Sequence, residues 1–136
     1  MPALTRQQLS ETQWRESPVG PDGTFCPVRT STNLLGGKWK LLLLAYLAES
    51  PRRYGELKRL APEISEKMLI QELRVLETDG LVRRTVHHTV PPRVDYELTP
   101  IGQELRPVVA SLIQWSLRYI DQKRTANLER GAPARV

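Results

Sequence analysis

The stretch YGELKRLAPEISEKMLIQELRVLETDGLVRRTVHHTVPPRVDYEL, residues 54–98, decides how this chain folds. A short helix, a Pro-containing turn, a second helix and a basic hairpin follow one another in it without spare residues. The second helix can be read position by position. Ser65 is a good N-cap, and with it there Ile64 and Leu69 take the two places of a hydrophobic staple that fixes how the chain enters the helix. Gly80, after Asp79, supplies the left-handed stop. Turned at 100° per residue, the segment puts Leu69, Leu73 and Leu76 on one stripe and Lys67, Gln71 and Arg74 on the opposite side. Ser65 and Met68 stand at the start of that polar side and Ile70 at its edge.

One face is built to pack and the other is free to read. Lys67 and Arg74 can donate to phosphate or guanine, Gln71 can pair bidentately with adenine, and Ile70 can touch a thymine methyl. Taken alone, the pattern favours a merely solvated side of an amphipathic helix. The neighbours shift that balance. Gly55 to Leu60 is a short helical run whose Leu57 and Leu60 are expected to face the second helix. Ala61 to Ile64 is a turn of the length that separates paired helices in a helix-turn-helix. Beyond Gly80, Leu81 to His88 is rich in Val and Thr, Pro91-Pro92 breaks it, and Arg93 to Leu98 sets Val94, Tyr96 and Leu98 on one face. Arg83, Arg84 and Arg93 lie on or beside this hairpin, and Arg53 precedes the first helix. A basic ribbon beside a reading helix suits phosphates or a minor groove. In isolation, a free-standing charged hairpin is an equal reading. Together the elements are laid out as a winged helix-turn-helix, with double-stranded DNA as the expected partner.

These residues resemble a known family. Cys26-Pro27-Val28, Leu35-Gly36-Gly37-Lys38-Trp39, Arg52-Arg53-Tyr54-Gly55-Glu56-Leu57, Ile64-Ser65-Glu66-Lys67-Met68-Leu69, Leu73-Arg74, Leu76-Glu77, Gly80-Leu81-Val82 and Val90-Pro91-Pro92-Arg93-Val94-Asp95-Tyr96 look like the HxlR-type transcriptional regulators, in unbroken order over about residues 26–116. The resemblance implies a homodimeric bacterial or archaeal regulator on a pseudo-palindromic operator, repressing or activating a neighbouring operon in response to electrophiles, oxidants or other small signals. It also implies that Cys26 is a sensing thiol. Ile70 stands where a small hydroxyl residue is frequent and Glu72 where a basic or neutral polar one often is; both departures bear on the operator rather than the fold.

Cys26 is the only cysteine, which excludes an internal disulfide framework and a multi-cysteine zinc site. Pro27 after it marks a helix start, where the dipole, helped by Arg29, favours a thiolate. Without the resemblance, a small residue with no signalling role is the simpler account. A lone thiol that senses has three routes: a disulfide across a dimer, a mixed disulfide with a small thiol, or alkylation, each requiring exposure.

At 136 residues the chain is one domain, and dimerisation would enlarge its core. The net charge of +5 divides into −1 over residues 1–24, +3 over 25–98 and +3 beyond; this is a modest argument for nucleic acid. Lys38 to Leu47 is apolar nearly all round, as for a helix buried between neighbours, and Gly36-Gly37 separates it from a helix over Pro27 to Leu35. Thr99-Pro100 caps a helix expected to run to about Arg124, with a kink or restart near Leu105 because of Pro107. On it Leu105, Val108, Leu112, Trp115 and Tyr119 form one ridge and Val109, Ile113, Leu117 and Ile120 another. The extra ridge suggests a dimer interface, unless it makes a second contact within the chain.

The expected organisation is therefore mainly α with a small β-hairpin, a winged helix-turn-helix with N- and C-terminal dimerisation helices. Residues 1–24 hold a helix near Thr5 to Arg15 with Leu4, Leu9 and Trp14, then a loop; the helix either clasps a partner subunit or stays poorly ordered, and the cost of leaving Trp14 in water favours the clasp. Residues 25–98 are the DNA-binding core, 99–124 the dimerisation helix and 125–136 a mobile tail. No secretory signal is visible, and the apolar run Leu41 to Ala48 is too short to span a bilayer, so no membrane partner and a cytoplasmic location are expected. Catalysis is not expected: His87 and His88 are the only histidines, adjacent on a strand and pointing apart, with no phosphate loop or metal-ligand spacing near them. No cofactor is expected either. A winged-helix module that binds a protein or a small hydrophobic effector, without specific DNA binding, is the alternative function.

Overall fold

The computed structural model describes residues 10–20 and 22–131. Their order is α1 Glu11–Glu16, α2 Pro27–Leu35, α3 Lys40–Glu49, β1 Arg52–Arg53, α4 Tyr54–Leu60, α5 Glu66–Thr78, β2 Val82–His87, β3 Arg93–Leu98, α6 Pro100–Gln103 and α7 Arg106–Glu129. The antiparallel sheet has the order β1-β3-β2, with Val82 opposite Leu98, Arg84 opposite Tyr96 and Val86 opposite Val94.

The core forms where α3, α4 and α5 meet the inner face of the sheet. Leu43, Leu44 and Leu47 of α3, Leu57 of α4, Leu69, Leu73 and Leu76 of α5, and Val82, Tyr96 and Leu98 of the sheet share one buried cluster. Each such leucine contributes about 1.5–3 kcal/mol relative to remaining in water. The expected start of α5 holds: Ser65 Oγ accepts the Met68 N–H at 3.2 Å, and Ile64 and Leu69 are both buried. Its end holds too, because Gly80 adopts φ +79°, open to glycine at little cost, and lets the Leu81 N–H reach the Leu76 carbonyl at 3.0 Å.

The same junction places the C-terminal helices. Thr99 Oγ1 donates to the Gly80 carbonyl at 2.6 Å and accepts the Gly102 N–H at 3.2 Å, joining the end of α5 to the start of α6. A Cβ on Gly102 would collide with the Leu81 carbonyl oxygen, so only glycine permits this approach. The helix then breaks at Glu104-Leu105 and restarts with Pro107 in the first turn of α7, as the proline required.

Three features depart from the sequence reading. Arg52-Arg53 forms a third strand, held because it pairs with β3 rather than by any propensity of two arginines. Leu60 does not face α5; its side chain is 37% exposed, while Leu57, one turn earlier, fills the core. The mobile tail expected from residue 125 is instead helix to Glu129, where Ala126 and Leu128 are good helix formers and Gly131 at φ +71° follows. At the other end, Ser10 caps α1, its Oγ accepting the Gln13 N–H while Gln13 Oε1 accepts the Ser10 N–H; the part of the expected helix from Thr5 to Leu9 lies outside the described residues. Leu4, Leu9, the Trp14 side chain and residues 132–136 lie outside the described residues.

Along α7 the two apolar ridges find almost nothing to pack on. Val109 is buried and Leu105 packs on the core, but Leu112, Ile113, Trp115, Leu117, Tyr119 and Ile120 are 41–57% exposed. Trp115 and Tyr119 stack on each other with ring centroids 5.4 Å apart. Among the described residues, no second contact within the chain covers this face.

Candidate nucleic-acid interface

The buried stripe of α5 leaves the opposite side in water. Lys67, Gln71 and Arg74 are exposed, and none of their side chains has a hydrogen bond or ion pair within the described residues. Met68 and Ile70 flank them, 36% and 41% exposed. Glu72, the acidic residue where the resembled pattern often has a basic or neutral polar one, is turned away: its Oε2 lies 2.8 Å from Lys40 Nζ at the start of α3, in a pair mostly out of solvent. Glu66 is occupied from below, accepting the Tyr54 hydroxyl at 3.3 Å with Lys58 Nζ at 3.6 Å. Burial, and then the Glu66 charge, raise the Tyr54 hydroxyl above its ordinary value, so it remains a neutral donor.

Between α5 and the wing formed by β2, β3 and their connection runs a groove of about 900 Å³. Arg53, Arg59, Arg74, Arg84 and Arg93 line it, against an apolar wall of Ile70, Val90, Pro91, Pro92 and Val94. Glu56, Glu66 and Glu77 also reach it, so its charge is positive but mixed. Four of the expected arginines are thus gathered in one place. Arg83 is not among them, because strand alternation sets neighbours on opposite faces and Arg83 Nη1 instead meets Glu97 Oε1 at 3.1 Å across the hairpin. Arg93 is partly neutralised by Asp95, its Nε 3.4 Å from Oδ1, while Asp95 Oδ2 lies 2.9 Å from His87 Nε2. His88 falls outside β2 and is exposed, so the two histidines do not share a strand as expected.

Sequence reasoning missed Arg59 and Tyr54. Both sit on α4, whose sequence signals which residues pack but not which side of the helix the wing will wrap. Cys26 occupies the N-cap of α2, as Pro27 implied, and is half-buried. Beside it Phe25 and Val28 are exposed, and none of the residues lining the groove comes from this turn or from α2. Among the described residues no group of three or more His, Cys, Asp or Glu could hold a metal ion.

The sequence profile of the HxlR-like helix-turn-helix family matches residues 34–129, from the end of α2 to the end of α7. The chain belongs to that family. Among the relatives of this HxlR-like protein is the uncharacterized HTH-type transcriptional regulator YkvN of Bacillus subtilis, 45% identical over 98 residues that span 72% of this chain and 83% of YkvN. The fold is shared with solved regulators. The redox regulator HypR in its oxidized form superposes with a TM-score of 0.65 at 41% identity, over 68% of this chain and 96% of HypR. Quinone-bound YodB of B. subtilis superposes with a TM-score of 0.59 at 33% identity, over 68% of this chain and 99% of YodB. α1, Cys26 and most of α2 precede the part that the family profile matches.

Proposed function

We propose that this HxlR-like chain is a sequence-specific DNA-binding regulator of transcription, a repressor that works in the cytoplasm as a homodimer on a pseudo-palindromic operator. The observation that carries the reading is the unpaired Lys67, Gln71 and Arg74 face of α5 beside the arginine-lined groove. With α5 in a major groove, Ser65, Lys67 and Met68 lie toward the entry of the helix, Gln71 and Arg74 donate to bases, and Ile70 touches an apolar base edge. Arg53, Arg84 and Arg93 serve the adjoining phosphates, while Arg83 plays a weaker part because Glu97 competes for it. The exposed ridges of α7 support the dimer, since contiguous apolar surface of this kind marks an interface, with residues 99–124 and the N-terminal segment as its dimerisation parts.

Cys26 is proposed as the sensing thiol. Its partial exposure supports this, as does kinship with a redox regulator solved in oxidized and reduced forms and with a regulator solved with quinone bound. Replacing Cys26 by Ser is expected to preserve DNA binding and abolish any response to diamide or quinone; an unchanged response removes Cys26 from the mechanism.

The apolar wall of the groove favours one other reading, a module that binds a hydrophobic effector or a protein there without specific DNA binding. Binding to the duplex upstream of the gene separates the two. Under the DNA reading, affinity falls by about 0.9 log units per phosphate contact for each decade of salt. Replacing Gln71 or Arg74 by Ala then lowers discrimination against a random duplex by roughly 1–3 kcal/mol. Equal affinity of the unaltered protein for both duplexes overturns it.

A further inference from the structure

Two ion pairs, both largely out of solvent, hold α5 from behind its reading face. Lys40 and Glu72 join the middle of the helix to α3 at 2.8 Å. At the far end, Asp79, the C-cap residue, accepts both Nε and Nη2 of Arg15 on its Oδ2, at 3.2 and 2.8 Å. The Asp79 side chain is only 3% exposed and that of Arg15 15%. A carboxylate in that place is doubly disfavoured, because it is withdrawn from water and faces the negative end of the helix dipole. It is tolerated only with a cation against it, and that cation arrives from 64 residues away, on α1.

α1 is itself anchored at several points. Thr30 Oγ1 of α2 donates to the Glu16 carbonyl at 3.1 Å, and the Cys26 N–H donates to the Pro18 carbonyl at 2.6 Å. Val19 bridges to Phe25, and the Arg29 guanidinium lies so close over Gly20 that a Cβ there would collide with it. Hydrogen bonds and packing thus run from α2 through the loop to α1, and from Arg15 to the end of α5. The first part of that path, through Arg15, precedes the residues that the family profile matches.

We propose that Arg15 is a positioning residue for DNA recognition, setting through Asp79 the angle at which α5 presents Lys67, Gln71 and Arg74. A buried ion pair adds little net stability compared with an apolar replacement, but it specifies one geometry, and a reading face must be held to about 0.5 Å to meet base edges. The segment ahead of the family region therefore tunes specificity without touching DNA. This inference rests on the DNA-binding reading given above.

The test uses the full-length protein, the duplex upstream of its gene, a scrambled duplex of equal length, and the variants Arg15→Gln, Asp79→Asn and both together, with circular dichroism to verify folding. Each single variant is expected to lower the ratio of upstream to scrambled affinity by about tenfold, the equivalent of one modest base contact. The two single changes shift net charge in opposite directions, so a fall in both cannot come from long-range attraction to phosphate. The double variant is expected to lose no more than the worse single one, because the pair acts as a unit. Partial unfolding lowers both affinities equally and leaves the ratio intact. If a single variant fails to fold, Arg15→Lys and the charge-neutral double variant carry the comparison, with the ratio largely restored in the former and reduced in the latter. Unchanged ratios in variants of a discriminating parent overturn the positioning role alone. A parent that does not discriminate overturns the DNA-binding reading and this inference with it.

Discussion

α5 and α7 are both amphipathic helices, yet the structure treats their apolar residues in opposite ways. In α5 the stripe Leu69, Leu73 and Leu76 is almost wholly removed from water, and the polar face is what remains outside. In α7 the ridges through Leu112, Trp115 and Tyr119 and through Ile113, Leu117 and Ile120 stay outside, and only Val109 is buried. The apolar side of α5 has its partners within the chain, in α3, α4 and the sheet. Beyond Val109, and Leu105 just ahead of the helix, that of α7 has none among the described residues, and a second copy is the partner proposed for it. Periodicity tells which side of a helix is sticky; it does not tell which molecule answers it.

The two helices are expected to differ most when α7 is altered. Replacing Trp115 by Glu places a charge in the centre of the exposed ridges. It is expected to give a monomer in sedimentation equilibrium and to weaken operator binding by about 10²–10⁴-fold, the avidity lost when two half-sites are no longer engaged together. A variant that remains dimeric would show that α7 is covered in some other way. The matching change in α5, Leu73→Ala, opens a cavity in the core and is expected to lower unfolding stability by about 2–5 kcal/mol in urea titrations. The two variants also differ in kind. The unfolding midpoint of the unaltered protein should rise with protein concentration because association is linked to folding, and Trp115→Glu should remove that dependence whereas Leu73→Ala should not.

Smaller effects sharpen the picture around the reading face. Ser65→Ala removes the cap of α5, the bond to the Met68 N–H, and is expected to reduce stability by about 1 kcal/mol. Arg84→Ala should weaken operator and random duplex alike and reduce the salt slope by about one contact, as loss of a phosphate ligand does. Arg83→Ala should change little, because an exposed pair such as that with Glu97 contributes about 0–1 kcal/mol and the side chain is set on the face opposite Arg84. A larger effect on binding for Arg83 than for Arg84 would reverse the assignment of the two faces of the wing.

Much of this was legible in advance where it depended on neighbours in sequence. The cap at Ser65, the stop at Gly80, the stripe of α5, the alternation of β3 and the restart at Pro107 are each decided within a turn or two, by backbone conformations and hydrogen bonds that few residue types can supply. The misreadings have a different origin. Arg52-Arg53 becomes a strand only because β3 lies beside it, Leu60 is left outside because Leu57 takes the core position, and Glu72 turns inward because Lys40 comes within 2.8 Å. Likewise Arg59 enters the groove because the wing folds over α4, and Arg15 meets Asp79 across 64 residues.

The amino-acid order alone thus determined a winged helix-turn-helix of the HxlR type, which helix presents a polar face, and where that helix begins and ends. Folding in three dimensions decided which arginines share a groove, which acidic groups are silenced by a buried cation, and which apolar ridges go uncovered. The division is physical: caps, turns and periodicity are local properties of the chain, whereas the pairing of charges and the covering of apolar surface depend on segments brought together from far apart.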